Sequence, residues 1–199
     1  MKIQQEGILE LLDINGSGQL CLDVDSSTPS LAIGMVKRGV ETYIYNNDRR
    51  IKSNARRQLE LDGVESQIFF YQEGRDDLKF DFILLTQNKI NIEALLVFRK
   101  LLNSNGTLLL NVNNERLKKV EKLISILGFS EFQIYLPFIG KEIPAFILPK
   151  DDFERYYHRY WSWKTVNISF LINKLIEYLF FFRLKKTWFI RNSIVLLRK

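Results

Sequence analysis

The stretch Leu20-Cys21-Leu22-Asp23-Val24-Asp25-Ser26-Ser27-Thr28-Pro29-Ser30-Leu31-Ala32 decides the fold. Residues 20–24 are apolar except for Asp23, which is the pattern of a buried strand. Small polar residues at 26–30 supply a turn and a cap, and an amphipathic helix begins near Leu31. A strand-loop-helix joint this close to the N-terminus is where open α/β sheets bind their ligands. We therefore expect a ligand site at residues 23–30.

Beyond this joint, apolar strands and amphipathic helices alternate along the chain. The predicted strands are 19–24, 42–45, 67–71, 80–86, 108–112, 132–136 and 193–197, and the predicted helices are 3–12, 30–39, 48–61, 92–102 and 115–127. Alternation of this kind favours a parallel sheet with helices on both faces.

The last fifty residues have a different character. Residues 150–199 hold 11 Lys/Arg and 4 Asp/Glu, a net charge of +7, whereas the preceding residues hold 18 and 19, a net charge of −1. Aromatic residues at 153–161 and apolar residues at 168–182 recur at helical spacing. A basic, aromatic segment predicts an anionic membrane surface or a protein partner, and nucleic acid is a weaker alternative because no nucleic-acid-binding motif is present.

The same segment is not expected to cross a membrane. Lys174 and Glu177 interrupt the apolar run 168–182, which is shorter than the roughly 20 residues that a bilayer requires. Cys21 is the single cysteine, and the N-terminus lacks the pattern of a signal peptide. We therefore expect a cytoplasmic location, with peripheral association at the inner membrane face as an extension of that expectation.

Several short sequence motifs occur in the order found in class I S-adenosylmethionine-dependent methyltransferases. They are Lys37-Arg38-Gly39, Asn54-Ala55-Arg56-Arg57, Phe80-Asp81-Phe82-Ile83-Leu84, Leu101-Leu102-Asn103-Ser104-Asn105-Gly106-Thr107-Leu108 and Leu127-Gly128-Phe129. The chain resembles that superfamily over most of its length. The resemblance implies a doubly wound, mostly parallel, seven-stranded sheet formed by residues 1–138 and 192–199, with a helical insertion at 139–191 before the last strand.

The resemblance also locates a cofactor loop, but its glycines are missing. Asp25, Ser27 and Pro29 stand at the three glycine positions, while Asp23 matches an acidic position of the motif. Glycine serves such a loop because the backbone turns sharply and the ligand approaches without a Cβ in the way.

Two further cofactor determinants also depart from the superfamily pattern. Asn46 stands where an acidic residue binds the ribose hydroxyls, and Asp48 is a nearby substitute. Gly74 stands where an aspartate lies beside the adenine, with Asp76 close to it. The candidate remnant pocket therefore consists of Asp23, Asp25, Ser26, Ser27, Asn46, Asp48, Gly74 and Asp76.

Other catalytic constellations are weak or absent from the sequence. A zinc site built from Cys and His is excluded by a single cysteine and a single histidine, His158, and no P-loop is present. No catalytic residue is assigned, and His158 is more simply a packing or surface residue of an aromatic helix.

The altered motifs favour a methyltransferase-like protein that does not catalyse and acts as a binding or partner subunit. On this hypothesis we expect no cofactor. The first alternative is an active methyltransferase with a divergent loop, which would bind S-adenosylmethionine and a small acceptor such as a glycan or lipid. The second alternative is a peripheral membrane adaptor that uses the C-terminal helices.

Overall fold

The computed structural model describes residues 8–24, 29–46, 49–72, 77–87, 91–112, 117–137, 147–149 and 193–199. The strands are β1 (Leu20–Val24), β2 (Glu41–Tyr45), β3 (Ile68–Phe70), β4 (Phe80–Gln87), β5 (Leu102–Val112), β6 (Glu131–Pro137), β7 (Ile147–Pro149) and β8 (Ser193–Arg198). The helices are α1 (Ser30–Val36), α2 (Arg49–Asp62), α3 (Ile92–Leu101) and α4 (Leu117–Leu127), with a 3₁₀ turn at Glu65–Gln67.

The strands form one sheet in the order β3-β2-β1-β4-β5-β8-β6-β7. Neighbouring strands from β3 to β5 are parallel, and β8 is antiparallel to both β5 and β6. The sheet is therefore mixed. All seven predicted strands are present, and the described residues add an eighth. The added strand is β7, which pairs antiparallel with β6 inside the segment predicted to be a helical insertion.

Helices cover both faces of the sheet, as the sequence pattern predicted. On the first face, Leu31 and Met35 of α1 pack with Ile8 and Leu9, against alternate residues of the central strands. Helix α2 extends this layer, since its Leu59 packs against residues of α1, β2 and β3. On the second face, α3 and α4 bury Leu95, Phe98, Leu101, Val120, Ile124 and Leu127 in the larger cluster.

Local sequence explains where the helices begin and end. The Asn91 side chain caps α3 by accepting hydrogen bonds from the backbone N–H groups of Glu93 and Ala94 at 3.0 and 3.3 Å. Gly128 follows α4 with a φ of +65°, a conformation that glycine adopts without steric cost. These two signals place α3 and α4 close to their predicted bounds.

One predicted boundary was wrong. Residues 103–106 have the composition of a turn, which placed the start of the fifth strand at residue 108. Instead α3 ends at Leu101 and β5 begins at Leu102. Phe80 pairs with Leu102 and Phe82 with Thr107, so one residue of β4 faces four residues of β5. The polar stretch is therefore a bulge inside the strand rather than a loop before it.

Both outer strands of the sheet are short. β3 and β7 each contain three residues, and β7 ends at the exposed Pro149.

The predicted helices at 153–161 and 168–182 lie outside the described residues. None of the helices in the described ranges is long and apolar enough to cross a bilayer.

Candidate cofactor site at the carboxyl edge of the sheet

The strand order creates a switch point between β1 and β4. β1 pairs with β2 on one side and with β4 on the other, because the chain runs outward through β2 and β3 and then returns to the centre. In open α/β sheets a crevice forms at such a point, outside the carboxyl ends of the strands. The predicted ligand joint, which follows β1, therefore leaves the sheet at this crevice.

Asp23 lies in the sheet beside this crevice. Its side chain is 1% exposed, and its register partners are Ile44 of β2 and Leu84 of β4. By strand alternation it shares the first face with Cys21, which packs among the residues of α1. Burial, and secondly the charge of Asp23, raise the pKa of the Cys21 thiol well above its ordinary value. Cys21 is thus an unreactive core residue.

Asn46 lies directly after β2 and is 4% exposed. Because Ile44 is the register partner of Asp23, Asn46 is two residues farther toward the carboxyl edge on the neighbouring strand. The structure therefore brings these two candidate residues, Asp23 and Asn46, to the same edge. A buried primary amide offers one carbonyl acceptor and two N–H donors, but no negative charge.

Pro29 closes the loop that connects β1 to α1. It is buried at the N-cap position of α1, with φ −78° and ψ 22°, and no side chain caps this helix end. Its carbonyl accepts the first helical hydrogen bond from Ile33 at 2.8 Å, but its nitrogen carries no N–H. A ring with a fixed φ thus occupies the position where the resemblance places the third glycine.

An aromatic cluster lies beside β2, on the face of the sheet opposite Asp23, and was not singled out from the sequence. The Tyr45 and Tyr71 rings meet edge to face at a centroid distance of 6.1 Å, and Tyr71 and Tyr43 each contact Phe80 at 5.7 Å. The backbone N–H of Tyr71 donates to the carbonyl of Ile44 at 2.9 Å, which holds the chain beside β2 after β3 has ended. The feature of the sequence that indicates this cluster is the pair of aromatic residues at alternate positions of β2, Tyr43 and Tyr45, which lie on the face opposite Asp23.

The structure describes two of the eight predicted pocket residues, Asp23 and Asn46. Asp25, Ser26, Ser27, Asp48, Gly74, Asp76 and also His158 lie outside the described residues. Thr86 and Gln87 end β4 at the expected edge. Among the residues that are described, no group of three or more His, Cys, Asp or Glu side chains could hold a metal ion.

A separate polar depression of about 450 Å³ lies at the opposite, amino edge of the sheet. Gln19, Asp81 and Glu131 line it together with Arg198 near the end of the antiparallel β8. Since this edge is the far side of the sheet from Asn46, the depression is not part of the candidate cofactor site.

Solved structures share this architecture at low sequence identity. Ribosomal protein L11 methylase from Lactobacillus delbrueckii subsp. bulgaricus is 22% identical with a TM-score of 0.55, over 74% of this chain and 75% of that one. SMU.776, assigned as a methyltransferase and solved in complex with SAH, is 14% identical with a TM-score of 0.62. The match covers all of this chain and 50% of SMU.776, so this chain spans about half the length of that protein.

A third match is Atu636 from Agrobacterium tumefaciens, a predicted O-methyltransferase. It is 12% identical with a TM-score of 0.58, over 100% of this chain and 81% of that one. No protein-family profile matches the chain, and no curated protein matches it. Strand order, switch point and structural neighbours agree: the chain has the class I methyltransferase-like fold.

Proposed function

We propose that this chain is a non-catalytic methyltransferase-like protein that acts as a binding or partner subunit. The observation that carries the proposal is the buried Asn46 side chain at the carboxyl end of β2. The resemblance places the acidic, ribose-binding residue at this position, and an amide there has no charge to offer.

The energetic consequence follows from hydrogen-bond strength. A carboxylate accepts charge-assisted bonds from both ribose hydroxyls, whereas the amide of Asn46 has one neutral acceptor oxygen. Replacing two charged bonds by one neutral bond costs about 2 kcal/mol, or roughly 30-fold in affinity. The buried Pro29 adds to this loss, because it removes an amide donor and places a ring where the superfamily has glycine.

Calorimetry with S-adenosylmethionine and S-adenosylhomocysteine tests the proposal. We expect no binding by the unmodified chain at micromolar ligand concentrations. Asn46→Asp restores the carboxylate, and Asn54→Asp, at an exposed position of α2, is the control with the same change of charge. Micromolar binding by the unmodified chain, together with methyl transfer to an added acceptor, would overturn the proposal.

The active enzyme is a second candidate because Asp23 is retained and buried beside the crevice. In that case Asp23 and Asp48 would bind S-adenosylmethionine. The two candidates differ in one measurement: an active enzyme loses cofactor binding in Asp23→Asn, whereas the non-catalytic protein has none to lose.

The subunit role has its own test. A methyltransferase encoded beside this chain would be co-expressed with it and assayed with and without it. We expect a stable complex with altered activity. A protein that stays monomeric and leaves that activity unchanged would contradict the role.

A further inference from the structure

The first half of α2 is strongly basic in sequence. Residues 49–57 contain Arg49, Arg50, Lys52, Arg56 and Arg57 and no acidic residue. The first turn of a helix ordinarily favours acidic side chains, since the backbone dipole is positive at that end, but α2 has none there. Lys52 and Arg56 are also four residues apart, where like charges repel. These interactions lower the local stability of α2, and positive charge is nevertheless concentrated on this helix.

The described basic side chains Lys52, Arg56 and Arg57 outnumber the one acidic side chain beside them, Glu60. Within the part of the chain that the structure describes, Lys52, Arg56 and Arg57 form no ion pair. The acidic Asp62, at the end of α2, instead accepts a hydrogen bond from Gln58 at 2.9 Å. The positive field of the helix therefore faces outward.

The basic side chains line a concave surface and one of them is held in place. An open depression of about 580 Å³ is lined by Lys52, Ser53, Arg56, Arg57 and Glu60. The Arg56 guanidinium lies 5.0 Å from the centroid of the Phe70 ring at the end of β3. This cation–π contact restrains the Arg56 side chain at the protein surface, which reduces the entropy lost when it binds an anion.

We propose that the α2 surface formed by Lys52, Ser53, Arg56 and Arg57 binds the phosphodiester backbone of a nucleic acid. Arginine and lysine side chains, with a serine hydroxyl, are the groups that ordinarily contact phosphates, and a concave basic surface suits a repeating anion. An anionic membrane fits less well, because the exposed residues that the structure describes between 52 and 60 are polar, and Leu61 is the first exposed apolar residue after them. The sequence predicts an anionic contact in the C-terminal residues 150–199, so the α2 surface is an additional one.

The surface adjoins the candidate cofactor site through the chain itself. Arg49 begins α2 three residues after Asn46, so the basic helix starts where β2 reaches the crevice. A polynucleotide bound along α2 would pass the carboxyl edge of the sheet. The proposal does not depend on whether that site binds a cofactor.

The test is the fluorescence anisotropy of a labelled 20-nucleotide single-stranded RNA with the full chain at several salt concentrations. The variant Lys52→Gln/Arg57→Gln removes two charges that make no described contact. The control Lys118→Gln/Lys122→Gln removes two exposed lysines of α4, so net charge and the basic C-terminal segment stay equal in the two proteins.

The logarithm of the association constant falls as the logarithm of the salt concentration rises. We expect this fall to be shallower in the α2 variant, with a slope smaller in magnitude by about 1.4, since each phosphate contact on a single strand contributes about 0.7. If the two lines meet at 1 M salt, this corresponds to about 25-fold weaker binding at 0.1 M. The α4 control should retain the original slope. Equal losses in both variants, or no loss in the α2 variant, would overturn the proposal.

Two further arms separate other anions from nucleic acid. Duplex DNA of 20 base pairs should also bind with an α2-dependent slope, because the contact is to the backbone. Phosphatidylglycerol vesicles should not distinguish the α2 variant from the α4 control. Vesicle binding that depends on α2, with no RNA or DNA binding, would identify a membrane surface instead and contradict the proposal.

Discussion

Asp81 and Asn103 are joined across the bulge of β5 by a hydrogen bond of 2.7 Å, from Nδ2 of the amide to Oδ1 of the carboxylate. The other carboxylate oxygen of Asp81 accepts the backbone N–H of Leu20 at 2.8 Å. One side chain of β4 therefore ties the amino ends of β1 and β5 together, at the edge opposite the candidate cofactor site.

We expect Asp81→Ala to lower the free energy of unfolding by about 2 kcal/mol, because it removes two hydrogen bonds to a charged acceptor. Urea denaturation measures the change. Asp62→Ala, which removes a carboxylate from the end of α2, should cost no more than about 0.5 kcal/mol. In a double-mutant cycle Asp81 and Asn103 should show a coupling energy; additive losses would contradict the contact.

Gly106 is predicted to resist substitution because of its close packing. A Cβ at this position would lie 2.9 Å from the carbonyl oxygen of Phe80 and 3.1 Å from the nitrogen of Asn103, both backbone atoms. We expect Gly106→Ala to cost about 1–3 kcal/mol by thermal or urea unfolding.

Gly34→Ala is the matched control for Gly106. Its Cβ would also collide, but with the flexible end of the Leu9 side chain, and alanine stabilises the helix interior by up to about 1 kcal/mol relative to glycine. The loss should therefore be smaller than at Gly106. A larger loss at Gly34 would mean that Leu9 cannot move.

Cys21 should make stability depend on alkaline pH. Burial, with the charge of Asp23, raises the pKa of its thiol in the folded state, so above pH 8.5 the unfolded chain loses a proton that the folded chain keeps. The contribution is complete below the unfolded pKa and declines as pH rises, by up to about 1.4 kcal/mol per pH unit. Urea titrations from pH 7 to 10 should show a steeper decline for the unmodified chain than for Cys21→Ala.

Arg99 should stabilise the packing of α3 against α4. Its Nη2 donates to the carbonyl of Gly128 at 2.7 Å, and its guanidinium lies 5.5 Å from the Phe129 ring centroid. Arg99→Ala should cost about 1–2 kcal/mol, and Arg99→Lys should recover part of that loss because the charge near the end of α4 is kept. Equal unfolding midpoints for the two variants would argue against a role for the charge.

The sequence predicted most elements because their signals were local. Asn91 and Gly128 delimit helices by their own chemistry, and the apolar runs of β1 and β4 could be recognised without knowledge of their neighbours. The start of β5 could not, since residues 103–106 have the composition of a turn and are held in the strand by contacts distant in sequence, among them the bond between Asp81 and Asn103. β7 is three residues long and exists through its pairing with β6, which no local pattern encodes.

The residues of the candidate site also differ in how far the sequence indicates their positions. Asp23 lies in β1 and Asn46 directly after β2, and position relative to a strand is a feature that the sequence pattern encodes. The aromatic contacts of Tyr45 and Tyr71 depend on how β2 and β3 are brought together, so spacing along the chain did not reveal them. The basic surface of α2 did not stand out in the sequence because the whole excess of positive charge lies in residues 150–199.

The short outer strands bear on how this protein can misassemble. With three residues in each of β3 and β7, and a proline that cannot donate a hydrogen bond at the end of β7, neither rim offers a long template for a foreign strand. Among the described residues, fibril growth by addition of strands at either edge is therefore disfavoured, because an added strand could pair over only a few residues.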